Sequence, residues 1–239
     1  MQTEINAQTV SRNFFFPPDS IAELAPGDHL NWAEFERRWD AMPKLKKAEL
    51  IGGIVFMLSP VSNVHAEPHA NLLTWLGTYR AFTPGTQVSD NATLRYDDEN
   101  APQPDAALWI DEKFGGTAFV EDKYLRGAPE LVAEIAVSSV SYDLHEKKQA
   151  YELIGVKEYV VWRVLDNSID WFVLEKGQYS LLEQDQNSVF ESRVFPGLRL
   201  AVRALLSNDL AKVLTDLQTG LNSPEHTEFI KNLAQVSLG

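Results

Sequence analysis

Apolar residues form short runs and helical stripes along the chain, and together they predict a mixed α/β fold. The runs 48–51 and 54–58 are β-prone and flank Gly52-Gly53, a pair that suits the positive φ angles of a tight hairpin. An apolar stripe from Leu72 to Tyr79 predicts a helix from about Ser62 to Ala81. Further strands are predicted at 86–88, 92–96, 105–110, 131–137, 158–164, 169–174 and 179–182.

Helix signals separate several of these strands. Asn31 and Glu34 can form a capping box at the start of an amphipathic helix. A second helix is predicted over Tyr142–Ile154, where Gly155 is placed to end it in the left-handed conformation. The order of strand, helix and strand over 131–164 is typical of a mixed sheet flanked by helices.

The pattern divides the chain into an irregular arm (1–29), one main domain (30–200) and a helical tail (201–239) with one or two helices. A total of 239 residues suits one domain with additions. Because the arm contains the apolar segment 14–18, we expect it to pack on the core or to mediate a homodimer.

The amino-acid composition limits the kinds of site and partner that the chain can have. The chain has no cysteine, which excludes disulfides, zinc–thiolate sites and cysteine nucleophiles. No apolar stretch approaches the roughly 18 residues of a membrane span, and the N-terminus lacks a signal-peptide pattern, so we predict a cytoplasmic protein. With 21 Lys and Arg against 34 Asp and Glu, the net charge of −13 repels a phosphate backbone. Any contact with nucleic acid is therefore expected to be local, weak or assisted by a metal ion.

Two acids interrupt the apolar runs of predicted central strands. Asp105 follows Pro104 at a strand entrance, and Glu134 stands among apolar neighbours in 131–137. Because an unpaired buried carboxylate costs several kcal/mol, such residues tend to mark a site. The structural alternatives are a turn-capping role for Asp105 and an ion pair with Arg or Lys for Glu134.

Other candidate residues lie close to these strands. Asp143, Lys147 and Tyr151 recur at four-residue spacing on the predicted helix, as either a surface ion pair or a polar stripe lining a site. Glu49 alternates with apolar neighbours, as an exposed strand residue or a site residue would. His65 and the histidine four residues later could bind a metal, although no zincin motif is present. The basic cluster 44–47 is too short to carry an argument.

Phosphate-binding loops, nucleophile elbows and dinucleotide fingerprints are missing from the sequence. An ordered set of short motifs is present instead: Glu49-Leu-Ile-x-Gly53, Met57-Leu-Ser-Pro60, His65, Asn71-Leu-Leu73, Pro104-Asp105, Gly127-Ala-Pro-Glu-Leu-Val132, Glu134-Ile135, Asp143, Glu146-Lys147, Tyr151, Gly155-Val156 and Glu158-Tyr159. In this order, over roughly residues 30–200, they resemble the Uma-two family of restriction-endonuclease-like proteins.

The resemblance implies a fold of the PD-(D/E)XK nuclease superfamily, with a mixed central sheet flanked by helices and a phosphodiesterase site dependent on Mg²⁺ (or Mn²⁺). It assigns the metal to Asp105 and Glu134. The lysine that usually stands two residues after the second acid is replaced by Ala136, and the resemblance suggests that Lys147 supplies the amine from the next helix. Asp143, Tyr151 and His65 would support the site, and Glu49 could complete a metal shell.

Three functions fit these features. The first is a metal-dependent endonuclease that acts on nucleic acid, with DNA as the expected substrate. The second is an interaction module that kept the nuclease fold without efficient chemistry, favoured by the charge of −13 and by the missing in-strand lysine. The third is a hydrolase of a small phosphoester. The nuclease hypothesis requires Asp105 and Glu134 to lie on one face of the sheet with Lys147 nearby.

Overall fold

The computed structural model describes residues 21–57 and 62–237, and these form a mixed α/β structure. The strands are β1 (Ala48–Ile51), β2 (Ile54–Met57), β3 (Thr86–Asp90), β4 (Ala106–Ile110), β5 (Phe119–Glu121), β6 (Tyr124–Arg126), β7 (Leu131–Ala136), β8 (Glu158–Arg163), β9 (Ser168–Glu175), β10 (Gln178–Leu181), β11 (Val189–Glu191) and β12 (Arg199–Ala201). The helices are α1 (Trp32–Asp40), α2 (Asn63–Phe82), α3 (Val140–Tyr142), α4 (Lys148–Ile154), α5 (Val202–Leu206), α6 (Leu210–Leu221) and α7 (Pro224–Val236). A π-helical turn, Asp143–Lys147, joins α3 to α4.

A six-stranded sheet in the order β10-β9-β8-β7-β4-β3 organises the molecule. Strands β7 and β8 are parallel, and every other pair in this sheet is antiparallel. The segment α3–α4 connects the two parallel strands, which confirms the predicted strand–helix–strand unit. The sheet is therefore mixed, as predicted, and its central strand β7 is buried on both faces.

Each face of the sheet has its own core. Alternate residues of β7, such as Leu131 and Ile135, pack with α2 and the C-terminal helices. Val132 and Ala136 point to the opposite face and pack with α4. Because side chains alternate along a strand, Glu134 must share the face of Val132 and Ala136. This alternation aims its carboxylate at α4.

The β1–β2 hairpin forms a separate two-stranded sheet beside the strand ends of the main sheet. Gly52 and Gly53 turn with φ angles of +56° and +73°, as the hairpin prediction requires. A third core joins this hairpin to α1 through residues that include Trp32, Phe35 and Leu50. The Asn31 side chain caps α1 by accepting from the Glu34 backbone N–H at 3.0 Å. The carboxylate of Glu34 pairs with two arginines of α1 instead of completing a capping box.

Two predictions about secondary structure were wrong. The stretch 92–96 forms only a single bridge, Leu94 to Leu125, because its neighbours β3 and β4 already pair directly with each other. The tail contains three helices after Val202, not one or two, since Pro224 starts a new helix immediately after α6 ends.

Some predictions stay open. The apolar segment 14–18, on which the homodimer prediction rests, lies outside the described residues. The proposed boundaries at 29/30 and 200/201 also stay predictions. Among residues 21–57 and 62–237, no helix is both long and apolar enough to cross a membrane.

Glu158, at the start of β8, gives the fold a pH-dependent stability. Its carboxylate accepts from the Ser192 hydroxyl and the Arg193 N–H, both at 2.6 Å, yet burial raises its pKa from 4.5 to about 7. Between these two values the folded protein binds more protons than the unfolded chain, so stability falls as pH rises through that window.

We expect this ionisation to cost on the order of 3 kcal/mol of unfolding free energy by pH 8. Urea unfolding at several pH values between 5 and 8 measures this for wild type and Glu158→Gln. The decline with pH should be shallower in the variant, because the titrating carboxyl is gone. Equal slopes for the two proteins would contradict the assignment.

Candidate functional site

Asp105 and Glu134 meet at the centre of the main sheet. The antiparallel register pairs Ala106 of β4 with Ala133 of β7. Extended by one residue, the same register places Asp105 directly opposite Glu134. Directly opposed residues on one face have Cβ atoms about 4.5–5.5 Å apart. The two acids therefore lie side by side on the α4 face, as the nuclease hypothesis requires.

Lys147 joins Glu134 to a second glutamate. Its ammonium nitrogen forms ion pairs with Glu134 Oε1 at 2.5 Å and with Glu49 Oε1 at 2.8 Å. The Tyr151 hydroxyl donates to the same Glu134 oxygen at 2.6 Å. Lys147 ends the π-helical turn, and Tyr151 lies four residues later in α4, so one helical turn supplies both partners. Glu49 thus completes a buried carboxylate pair around one ammonium.

Two further hydrogen bonds accompany the burial of the Glu49 carboxylate. Its Oε1 atom also accepts from the Gln103 N–H at 2.6 Å, and Oε2 accepts from the Tyr142 hydroxyl at 3.2 Å. The interpretation of Glu49 as an exposed strand residue was wrong, since the side chain is fully buried. Residues 101–103 run along β1 and cover that side of the hairpin.

Asp105 is surrounded by donors from three parts of the chain. Lys47 donates to Oδ1 at 2.9 Å, the Ile135 N–H donates to Oδ2 at 2.8 Å, and His65 Nε2 lies 3.1 Å from Oδ2. His69 Nε2 donates to the Asp105 carbonyl at 2.8 Å. Asp105 is thus an extensively hydrogen-bonded carboxylate and not a simple turn cap.

Asp143 and Lys147 are both buried, so the alternative that treated them as a surface ion pair was wrong. The π-helical turn widens the backbone spacing here, and Lys147 reaches the two glutamates rather than Asp143. The Asp143 carboxylate instead accepts from the Ser139 hydroxyl at 2.6 Å. π-helical turns often occur at functional sites, because they re-aim side chains.

The pKa values of the two central acids shift in opposite directions. Burial raises the pKa of Glu134 to about 8, against the opposing charge of Lys147. Burial also acts to raise the pKa of Asp105, but the His65 hydrogen bond and the charge of Lys47 outweigh it and hold that pKa far below its usual range. Asp105 is therefore held ionised at neutral pH, whereas burial opposes the charged form of Glu134 that the Lys147 ammonium stabilises.

Burial and nearby charges also shift the pKa values of Lys147 and Asp143. Burial alone would lower the pKa of Lys147, but the negative charges of Glu134 and Glu49 raise it. Burial raises the pKa of Asp143, and the charge of Lys147 opposes this shift. The four carboxyl groups of Asp105, Glu134, Glu49 and Asp143 therefore outnumber the two lysines of the cluster, Lys47 and Lys147.

The histidine pair does not form a metal centre of its own. Over residues 21–57 and 62–237, no three His, Asp or Glu side chains are grouped so that they could hold a metal ion together. His65 and His69 contact the side chain and the backbone of Asp105 and pack edge to face, with ring centroids 5.6 Å apart. They therefore act on the position and charge of Asp105.

Sequence reasoning missed three contributors to the site. Lys47 was set aside in a short basic cluster, although it precedes Glu49 by two residues and so must lie on the same side of an extended chain. Tyr142 was treated only as the beginning of a helix. Gln103 contributes its backbone N–H, for which the sequence carries no signal.

The fold has a counterpart among solved structures. One described as a putative nuclease belonging to DUF820 from Anabaena variabilis superposes with a TM-score of 0.53 at 11% identity, covering 70% of this chain and 96% of that one. The two proteins therefore share a fold, a mixed sheet flanked by helices. The family model Uma2, described as "Putative restriction endonuclease", matches residues 32–203. The chain belongs to this family. No curated protein matches the sequence.

Proposed function

We propose that the protein hydrolyses phosphodiester bonds in nucleic acid with the help of a divalent cation, Mg²⁺ or Mn²⁺. The observation that supports this most strongly is the pairing of Asp105 with Glu134 across two central strands, with the Lys147 ammonium bound to Glu134. Membership of a family described by endonuclease activity supports the same reaction class.

The residues present fit such an ion. Mg²⁺ usually takes only one or two protein carboxylates and keeps several waters for substrate oxygens to displace. Two acids are therefore sufficient, even though no group of three ligands exists among the described residues. In the part of the chain that the structure describes, no hydrogen bond reaches Glu134 Oε2, whereas Oε1 accepts from Tyr151 and pairs with Lys147. That oxygen is available for a cation.

Each side chain has a defined task in this proposal. Asp105 and Glu134 would hold the ion, which when bound would neutralise phosphate charge and activate a water molecule. Lys147 and Tyr151 fix the Glu134 carboxylate from α4, and Glu49 balances the Lys147 charge from the hairpin. His65 keeps the adjacent Asp105 oriented and ionised. Asp143 and Ser139 brace the turn that presents Lys147.

The net charge of −13 limits how the protein can contact nucleic acid. A long duplex is repelled by such a surface unless cations screen it, so substrate contact should be confined to the neighbourhood of the acids. The same charge favours the alternative of a nuclease-fold interaction module without efficient chemistry. The two functions differ in whether a phosphodiester bond breaks.

The test is nicking of supercoiled plasmid with Mg²⁺, Mn²⁺ or a chelator. We expect cation-dependent nicking by wild type and a loss of at least about 100-fold in Asp105→Asn, because one of two metal-binding carboxylates is gone. Asp166→Asn is the matched control, since Asp166 pairs with Arg163 on the surface.

Calorimetric titration with Mn²⁺ adds a measurement independent of cleavage. The Asp105→Asn protein should bind the ion more weakly than wild type, and urea unfolding should show that it remains folded. If wild type binds no divalent ion and nicks nothing, the interaction-module alternative holds. If all three proteins nick alike, Asp105 does not hold a catalytic ion and the proposed site is wrong.

A further inference from the structure

Two lysines contact the acids of the site, and they differ in access to solvent. The Lys147 side chain is 1% exposed and lies between Glu49 and Glu134, both of which are buried. The Lys47 side chain is 18% exposed and contacts Asp105 Oδ1 at 2.9 Å and Asn91 Oδ1 at 3.3 Å. One amine is enclosed, and the other is at the surface of the same cluster.

From this difference we infer that Lys47 is the amine that contacts the phosphate of the substrate, while Lys147 is a positioning residue that holds Glu49 and Glu134. The inference rests on the proposed function and deepens it, because it assigns the substrate contact to the hairpin strand rather than to the helix. Substrate binding by Lys147 is the alternative that the experiment below distinguishes.

The geometry around Lys147 argues against direct contact with a substrate. Its ammonium forms ion pairs with both glutamates, and the Tyr142 ring lies 5.7 Å from the ammonium. For a phosphate oxygen to reach it, one of the glutamates would have to give up its charge partner inside the protein. Leaving a buried carboxylate unpaired costs several kcal/mol. Lys147 is therefore fixed where it is.

Lys47 has the properties that a phosphate contact needs. It is the residue before β1, and its side chain lies on the same side of that strand as Glu49, two residues later. Two of its N–H groups bond to Asp105 and Asn91, which leaves one for another acceptor. A phosphate oxygen can compete for a partly exposed ammonium on a flexible stem without uncovering a buried charge.

Limited acetylation of the folded wild-type chain, mapped by mass spectrometry, tests this access. We expect Lys47 to react at least about tenfold faster than Lys147. A thymidine oligonucleotide with phosphorothioate linkages is a suitable probe, because thymine offers no amine to the reagent. In the presence of Mg²⁺ it should slow the modification of Lys47 and leave Lys231, an exposed lysine of α7, unaffected.

The results that would overturn the inference are specific. If Lys147 is modified as fast as Lys47, or if the oligonucleotide protects Lys147 and not Lys47, the roles are reversed. If the oligonucleotide protects neither lysine under conditions where it binds, the phosphate contact is made elsewhere.

A chemical rescue tests the same contact through cleavage. Because the chain has no cysteine, Lys47→Cys introduces a unique thiol, and 2-bromoethylamine converts it to an amine of nearly lysine length. We expect Lys47→Cys to nick plasmid about 100-fold more slowly, and aminoethylation to restore at least about one tenth of the wild-type rate.

The role of Lys47 and the proposed function would be contradicted by different results. Wild-type nicking by unmodified Lys47→Cys overturns the role of Lys47 and leaves the proposed function intact. An unrescued aminoethylated protein with a normal urea unfolding curve also overturns it. A wild-type chain that nicks nothing with either cation removes the proposed function and, with it, any part for Lys47 in cleavage.

Discussion

Replacing Lys147 by methionine is expected to lower the free energy of unfolding by about 3–5 kcal/mol, the range typical of breaking a buried ion pair from one side. Methionine fills a similar volume but leaves Glu49 and Glu134 buried together without a cation. The loss of unfolding free energy in Lys147→Met should be larger at pH 8 than at pH 6. Without Lys147 the pKa of Glu134 rises further, so protonation in the folded state relieves the repulsion as pH falls.

Urea unfolding at the two pH values provides the measurement. Lys231→Met is the matched control, because Lys231 is exposed on α7 and pairs with the exposed Glu228, so its loss should cost less than about 1 kcal/mol. Glu134→Gln combined with Lys147→Met should be more stable than Lys147→Met alone. Additive effects of the two substitutions would show that the pair is not coupled.

Glu134→Gln should separate activity from stability. Glutamine keeps the size of the side chain, and its amide oxygen can still accept from Lys147 and Tyr151. Because burial raises the pKa of Glu134 to about 8, the unfolding free energy of wild type falls as pH rises from 5 to 8, and this decline should be shallower in Glu134→Gln, which has no ionisable group there. Cation-dependent nicking should fall at least about 100-fold, since a metal-binding carboxylate is lost.

Plasmid nicking and urea unfolding of the same preparation measure both effects. Glu130→Gln is a close control, because Glu130 is also buried, immediately precedes β7 and pairs with a lysine, Lys157. It should retain nicking. If Glu134→Gln nicks plasmid at the wild-type rate, Glu134 has a structural role only, and the cation is held by other groups.

Most of the central sheet could be predicted, because apolar runs buried on both faces have a strong sequence signature. The hairpin at Gly52-Gly53 and the left-handed cap at Gly155, with φ of +89°, follow from glycine at positions that need positive φ. Asp105 and Glu134 were recognisable because burying a carboxylate within an apolar strand is costly unless a hydrogen-bond donor or a cation pairs with it.

The remainder of the site depends on tertiary contacts that local patterns do not encode. A four-residue spacing correctly placed Lys147 on the face of Tyr151, but it also suggested an ion pair with Asp143 that the π-helical turn prevents. Glu49 looked exposed because its burial comes from residues 101–103, far away in sequence. The spacing of Lys47 from Glu49 could place the two side chains together, but nothing near Lys47 in the chain shows that Asp105 is its partner.

The position of the β1–β2 hairpin has a consequence for the dynamics of the site. Asp105 and Glu134 belong to the six-stranded sheet, whereas Lys47 and Glu49 come with a hairpin that forms its own small sheet. Elements with fewer stabilising partners open at lower free energy than the global transition. Local opening of the hairpin would withdraw one lysine and one glutamate at once while the two central acids stay in place. Amide hydrogen exchange in β1 should therefore report the fraction of molecules with an assembled site, independently of global stability.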